Sequence, residues 1–131
     1  MSAIVPGLSV SVLQDASKGI VSYVAGSSIS ALCGIKLVAG VPAYCDADVV
    51  TDIGKLVGVS TNAVISGDAL AIQYDGILSD AGWAWVEGPV YLGSAGQLTQ
   101  SAAGLTFVQS IGEAVSATSI MLNIKLPIRR L

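Results

Sequence analysis

Ile120-Met-Leu-Asn-Ile-Lys-Leu-Pro-Ile128 is the stretch that decides the fold class. Ile120, Leu122, Ile124, Leu126 and Ile128 alternate with Met121, Asn123, Lys125 and Pro127. A period of two places one set of side chains on each face of a β-strand. The spacing predicts a strand over the whole nonapeptide with its five aliphatic residues inward, each worth about 1.5–3 kcal/mol if fully buried. A charge at Leu122 or Ile124 is expected to be among the most damaging substitutions in the chain. Pro127 marks the end as an edge or an exit from the sheet.

The same reading extends outward. Leu105–Ala114 carries Phe107 and ends near Gly112. In Ala69–Gly76, Leu70, Ile72 and Tyr74 face away from Ala69, Ala71 and Gln73. Leu56–Ser60 is a short strand, and Asn62–Asp68 is a turn with Gly67-Asp68 at its tip. Ser30–Tyr44 reads as two strands split at Gly40, with Pro42 at an edge or corner. Gly19–Ala25 is β-branched and strand-like. Leu8-Ser-Val-Ser-Val12 alternates after the Pro6-Gly7 turn. Trp83–Gln100 reads as a strand, a corner, a second short strand and a Gly-centred turn, with Trp83 and Trp85 on one side. No segment shows a capped 3.6-residue apolar stripe, so helix is limited to a single turn at Asp46–Gly54 or Ala114–Ser119. The expected fold is all-β: a compact β-barrel or β-sandwich of short antiparallel strands. Residues 1–29 form an N-terminal arm or the first strands, and residues 30–131 form the β domain.

The second half echoes the first. Val41-Pro-Ala-Tyr-Cys45 aligns with Gly88-Pro-Val-Tyr-Leu92, Gly58 with Gly112, and Ala69-Leu-Ala-Ile72 with Met121-Leu-Asn-Ile124. This defines two pseudo-repeats, about residues 34–76 and 83–128, that bury together what neither buries alone.

Composition narrows the function. The 131 residues are 53% hydrophobic with two Trp, four Tyr and one Phe, so the core must be built from Val, Ile, Leu and Ala. Only 11% are charged, against roughly 25% in ordinary soluble domains. A surface of Ser, Thr, Ala and Gly suits a protein packed against copies of itself or a partner. The net charge of −3 offers no footprint for nucleic acid. The one basic cluster is Arg129-Arg130 with Lys125 before it. The apolar uncharged run Gly19–Ile35 falls short of the ~20 residues of a spanning helix, and the N-terminus has no basic signal-peptide region. These features predict synthesis in a cytoplasm and no membrane association.

Catalytic constellations are missing. With no histidine, Ser-His-Asp and Cys-His mechanisms are excluded. A carboxylate pair would have to come from Asp75, Asp80, Glu87 and Glu113, of which Asp75 and Asp80 read as turn residues. Asp46, Asp48 and Asp52 lack calcium-loop spacing and read as a solvated acidic loop. Gly93-Ser-Ala-Gly96 lacks the Lys-Ser/Thr of a phosphate cradle. Cys33 and Cys45 have no metal-site spacing; free buried thiols are the first reading and a cross-strand disulfide the alternative. No catalytic, cofactor or metal residue is assigned. The interface candidates are Trp83, Trp85, Tyr91, Arg129 and Arg130.

Trp83-Ala-Trp-Val-Glu-Gly-Pro-Val-Tyr-Leu-Gly-Ser-Ala-Gly-Gln-Leu-Thr-Gln100, Phe107-Val-Gln-Ser-Ile-Gly-Glu-Ala-Val-Ser-Ala-Thr118 and Ile120–Ile128 together resemble small β-rich virion proteins of tailed bacteriophages. These are the capsid decoration (cement, head-fibre) proteins, with related modules in tail fibres. Val57-Gly-Val-Ser-Thr-Asn-Ala63 and Gly67-Asp68 fit the same pattern, so the likeness covers roughly residues 30–131. The resemblance implies a non-enzymatic protein without cofactor, commonly a homotrimer, bound to the major capsid protein on the outside of the shell. The virion would be its location and a bacterial cytoplasm its place of synthesis. A tail-fibre or receptor-binding module is the alternative. An arm at the N-terminus or the tail Lys125–Leu131 would contact the shell, and deleting residues 1–20 should then abolish that contact without unfolding the protein.

Overall fold

The computed structural model describes residues 19–129. Its architecture is nearly all β: two five-stranded antiparallel sheets and one two-stranded ribbon. The first sheet holds β1 (Ile20–Val24), β2 (Gly34–Val38), β3 (Val41–Tyr44), β4 (Gly58–Ser60) and β5 (Ala69–Gln73), ordered β1-β5-β4-β2-β3. The second holds β6 (Asp75–Ser79), β7 (Gly88–Leu92), β8 (Leu98–Thr99), β10 (Ser110–Ser116) and β11 (Ser119–Asn123), ordered β6-β11-β10-β7-β8. β9 (Phe107–Val108) pairs with β12 (Ile128–Arg129). Leu8–Val12 and Arg130 lie outside the described residues.

The two orders are one order. Numbered within its own half, each sheet runs first, fifth, fourth, second, third strand. The chain passes from one unit to the next through Tyr74, between β5 and β6. The repeated order starts at Ile20, ahead of residue 34, so β1 is an integral strand of the first unit, paired with β5 from Ile20↔Gln73 to Val24↔Ala69. The equivalence matches β2 with β7 and β3 with β8. Pro42, on the edge strand β3, and Pro89, on β7 between β10 and β8, therefore occupy different places. The sequence alignment of the two Pro-x-Tyr motifs is thereby corrected.

Gly58 and Gly112 do occupy equivalent places, on β4 and β10, and for one reason. A Cβ on Gly58 would lie 2.6 Å from the Gln73 carbonyl oxygen on β5. One on Gly112 would run into the Met121 carbonyl and stand 3.0 Å from Leu122 Cα on β11. In each sheet the fourth and fifth strands pass too close for a side chain.

Each half buries its own apolar face. In the first, Ile35, Leu70 and Ile72 pack with Ala25 and Ile29. Its edge strands β1 and β3 come within 8 Å Cα–Cα, so the sheet curls around this small core. The larger core gathers Leu92, Phe107, Ile111, Ile120 and Leu122 of the second half with Cys45, Ala47 and Val59 of the first. Ala47 O accepts both Thr106 N–H (3.0 Å) and Phe107 N–H (3.2 Å), and Gly93 O accepts Ala47 N–H (3.0 Å). Hydrophobic packing and backbone hydrogen bonds thus join the two units into one body.

The nonapeptide that decided the fold class is strand to Asn123, leaves the ladder over residues 124–127 and is strand again only at Ile128, in β12. Lys125 N–H then bonds to Ser110 O (3.0 Å), and Gln109 Nε2 bonds to Lys125 O (2.9 Å). These bonds turn the chain out of the ladder, and the alternation loses its meaning. Ile120 and Leu122 are buried, Ile124 is half-buried, and Leu126 and Ile128 stand 88% and 69% exposed. Trp83–Glu87 is likewise no strand but a loop, stapled by Gln100, whose Oε1 accepts Val86 N–H (3.0 Å) and whose Nε2 bonds to Val86 O. Asp75 opens β6 rather than a turn. Of the two expected helical turns, Val50–Asp52 is a 3-10 turn, whereas Ala114–Ser116 belongs to β10.

Two local devices shape the sheets. Ala39 (φ 52°) and Gly40 (φ 82°) close the β2–β3 hairpin with two left-handed residues, the geometry that matches strand twist. Gln73 Nε2 donates to Asp75 O (2.9 Å) and Ile77 O (3.0 Å), occupying edge carbonyls of β6 that would otherwise invite another strand.

Candidate functional site

The acidic loop is not simply solvated. Asp52, at 2% exposure, is one of the most buried polar residues described. The 3-10 turn Val50–Asp52 points its carboxylate inward, where Oδ1 pairs with Lys36 Nζ at 2.6 Å and Oδ2 accepts Asp46 N–H at 2.9 Å. Asp46 Oδ1 accepts Asp48 N–H (2.8 Å), and the Asp48 carboxylate accepts a hydrogen bond from Ser94 of the second unit. The three aspartates therefore tie the turn to β2 and to the β7–β8 connection. Lys36, Thr51, Asp52 and Lys55 border a surface depression of about 310 Å³. Among the described residues no three His, Cys, Asp or Glu side chains gather in metal-binding geometry.

Both cysteines are free thiols. Cys45 is fully buried beside this ion pair, its Sγ 3.8 Å from Asp52 O. Burial first, then the Asp52 carboxylate, pushes its thiol up to about 12. Burial also raises Cys33, which is only partly covered. Two outcomes are expected. In the native protein at pH 8, iodoacetamide should alkylate Cys33 well before Cys45, read by peptide mass spectrometry, because the thiolate is the nucleophile. Stability should also fall as pH rises above about 9. There an unfolded Cys45 with the ordinary value of 9.0 ionises while the folded thiol stays protonated until about 12. The unfolded state then binds fewer protons, so its share grows with pH.

The interface candidates separate. Trp83 and Trp85 are half-buried and pack against the larger core, their rings 5.5 Å apart and tilted by 54°. Trp85 Nε1 is buried without a hydrogen-bond partner among the described residues. The pair is a lid on the core rather than a platform in solvent. Tyr91 is half-buried on β7, opposite Ser110 and Thr99. Arg129 lies on β12, opposite Phe107. Of the described candidates, the structure brings Trp83 and Trp85 into contact with each other.

The apolar side chains in solvent lie elsewhere. One group is on the first unit, where Val38 and Val41 face each other at the β2–β3 hairpin. Val41 also lies against Gly26, just after β1, whose Val24 is exposed. From Gly19 to Cys45 the only charged residue is Lys36, already taken up by Asp52. This flank is sparse in charge, with Lys55 beside Val38 and Asp68 next to the Ala69 partner of Val24, and is studded with exposed valines. A second group, Ile77, Val115 and Met121, lies on the outer face of the second sheet. Sequence periodicity could not find either group, because a valine in a strand reads as core until the neighbours on its face are known. The missing charge between residues 19 and 45 was the available signal.

No family model, curated protein or solved structure matches the chain.

Proposed function

We propose that the protein is a non-enzymatic structural component of a tailed-phage virion that binds the outside of the capsid and stabilises it. The observation that carries this reading is the valine-studded, charge-poor flank of the first unit. Val24, Val38 and Val41 stand in solvent there, on a stretch whose single charge is internally neutralised. Exposed apolar side chains on a surface with few charges cost solubility and suit contact with another protein. The sequence resemblance supplies the partner: the major capsid protein. The flank docks on a capsomer, and the two-unit body, joined through one core, acts as a rigid clamp. The half-buried tryptophans favour this over a glycan-binding tail-fibre module, which needs aromatic faces open to solvent.

The test is co-sedimentation of purified protein with heads of the encoding phage that lack it. Wild-type protein is expected to pellet with heads. Val24→Asp and Val41→Asp, on exposed positions, should fold normally by circular dichroism yet bind about tenfold or more weakly, since a desolvated unpaired charge costs more than 1.4 kcal/mol. Electron microscopy should place the density on capsomers. Density confined to the tail, or full binding by both variants, rejects the reading.

A further inference from the structure

One row of side chains crosses each sheet at the same depth. In the first it is Ile20–Gln73–Val59–Gly34, across β1, β5, β4 and β2. In the second it is Ile77–Met121–Glu113–Pro89, across β6, β11, β10 and β7. The two rows run through equivalent strands. Their surroundings are opposite. Val59 is fully buried in the larger core, Gly34 is in contact with Leu92 of the second unit, and Gln73 is only 9% exposed. Ile77 and Met121 are 50% and 51% exposed, and Glu113 and Pro89 are exposed as well. The part of this face that the first unit covers at Gln73, Val59 and Gly34 is uncovered in the second unit.

The groove on this open face has a charge pattern that selects its occupant. Gly112 forms its floor, Met121 and Val115 its apolar walls, and Glu113 and Lys125 stand along it. Lys125 is level with Ser110, to which its N–H bonds, so it lies three residues from Glu113 along β10, roughly 10 Å. Neither side chain has an ion-pair partner among the described residues. One unpaired acid and one unpaired base, separated along an apolar groove, are complementary to the same groove turned end for end.

We infer that the outer face of the second sheet is a two-fold contact with a second copy of this chain. Met121 and Val115 pack across the axis, and Glu113 of each copy meets Lys125 of the other. The bulged segment of β10 at Val115 raises that side chain toward the partner. This contact is distinct from the threefold ring that the resemblance implies, and from the shell-binding flank of the first unit, so either can fail alone.

Analytical ultracentrifugation of the full chain tests it. Wild-type protein is expected to sediment with an even number of copies, a dimer from this contact alone or a hexamer where the threefold ring also forms. Glu113→Lys and Lys125→Glu should each weaken association about tenfold or more, because each sets like charges against each other. The double variant Glu113→Lys/Lys125→Glu should restore the even assembly, which loss of folding could not mimic. Met121→Asp, half-exposed in the single chain, should be folded by circular dichroism and sediment with half the wild-type number of copies. A wild-type monomer, an assembly with an odd number of copies, or an even assembly indifferent to both single reversals overturns the contact.

Discussion

Leu122→Asp is expected to yield no folded protein, whereas Leu126→Asp should leave stability within about 0.5 kcal/mol of the wild type. The two positions share one alternating stretch and one parity, and by sequence they belong to one buried face. In the structure Leu122 is 2% exposed, on β11 between Gly112 of β10 and Gly76 of β6. A carboxylate there forfeits the 2–5 kcal/mol or so that a buried leucine contributes. It must also be desolvated or protonated at a further cost of several kcal/mol. The sum reaches most or all of the roughly 5–15 kcal/mol that holds a domain together. Leu126, at 88% exposure, gives up nothing to water. Circular dichroism and urea unfolding of the two variants side by side check the claim. Equal damage at both sites would mean that Leu126 is covered in the native protein.

Phe107→Ala should lower stability by about 3–5 kcal/mol and the melting temperature by roughly 10–20 °C, while the chain still folds in the cold. Phe107 is the largest fully buried side chain described and the only phenylalanine in the sequence. It sits in the core shared by the two units, and its backbone N–H bonds to Ala47 across the join. Truncation leaves a cavity between two rigid sheets that cannot collapse without breaking the β9 pairing to β12. Because the cavity lies at the join, the thermal transition should also broaden as the units lose cooperativity. A drop below about 1 kcal/mol would show that the two units do not depend on this core.

Much of the fold is legible in the amino-acid sequence. Alternation marked β5 and the first half of Ile120–Ile128. Gly40 marked the β2–β3 hairpin, and the missing helical stripes marked the class. Gly58 and Gly112, aligned across the halves by sequence, each stand where the neighbouring strand leaves no room for a Cβ. The Pro-x-Tyr motifs were paired wrongly because proline is tolerated at many strand positions and carries no information about strand order. The site was less legible. Asp52 looked like one of three solvated acids, and only its contact with Lys36, sixteen residues earlier, makes it structural. The tryptophans read first as a core anchor and second as an interface pair, and they pack half-buried against the larger core.

The sequence by itself determined an all-β chain of short strands, sparse in charge, with no residue set for histidine-dependent catalysis. Those properties follow from local period and composition, which each segment carries alone. Only the tertiary structure decided that both halves share one strand order, that the alternating stretch leaves the ladder after Asn123, and which aliphatic faces stay in water. Burial is a property of pairs of surfaces. Ile77 and Met121 are as apolar as Leu78 and Ile120 beside them, and what separates them is that a second layer lies on one side of the sheet and water on the other.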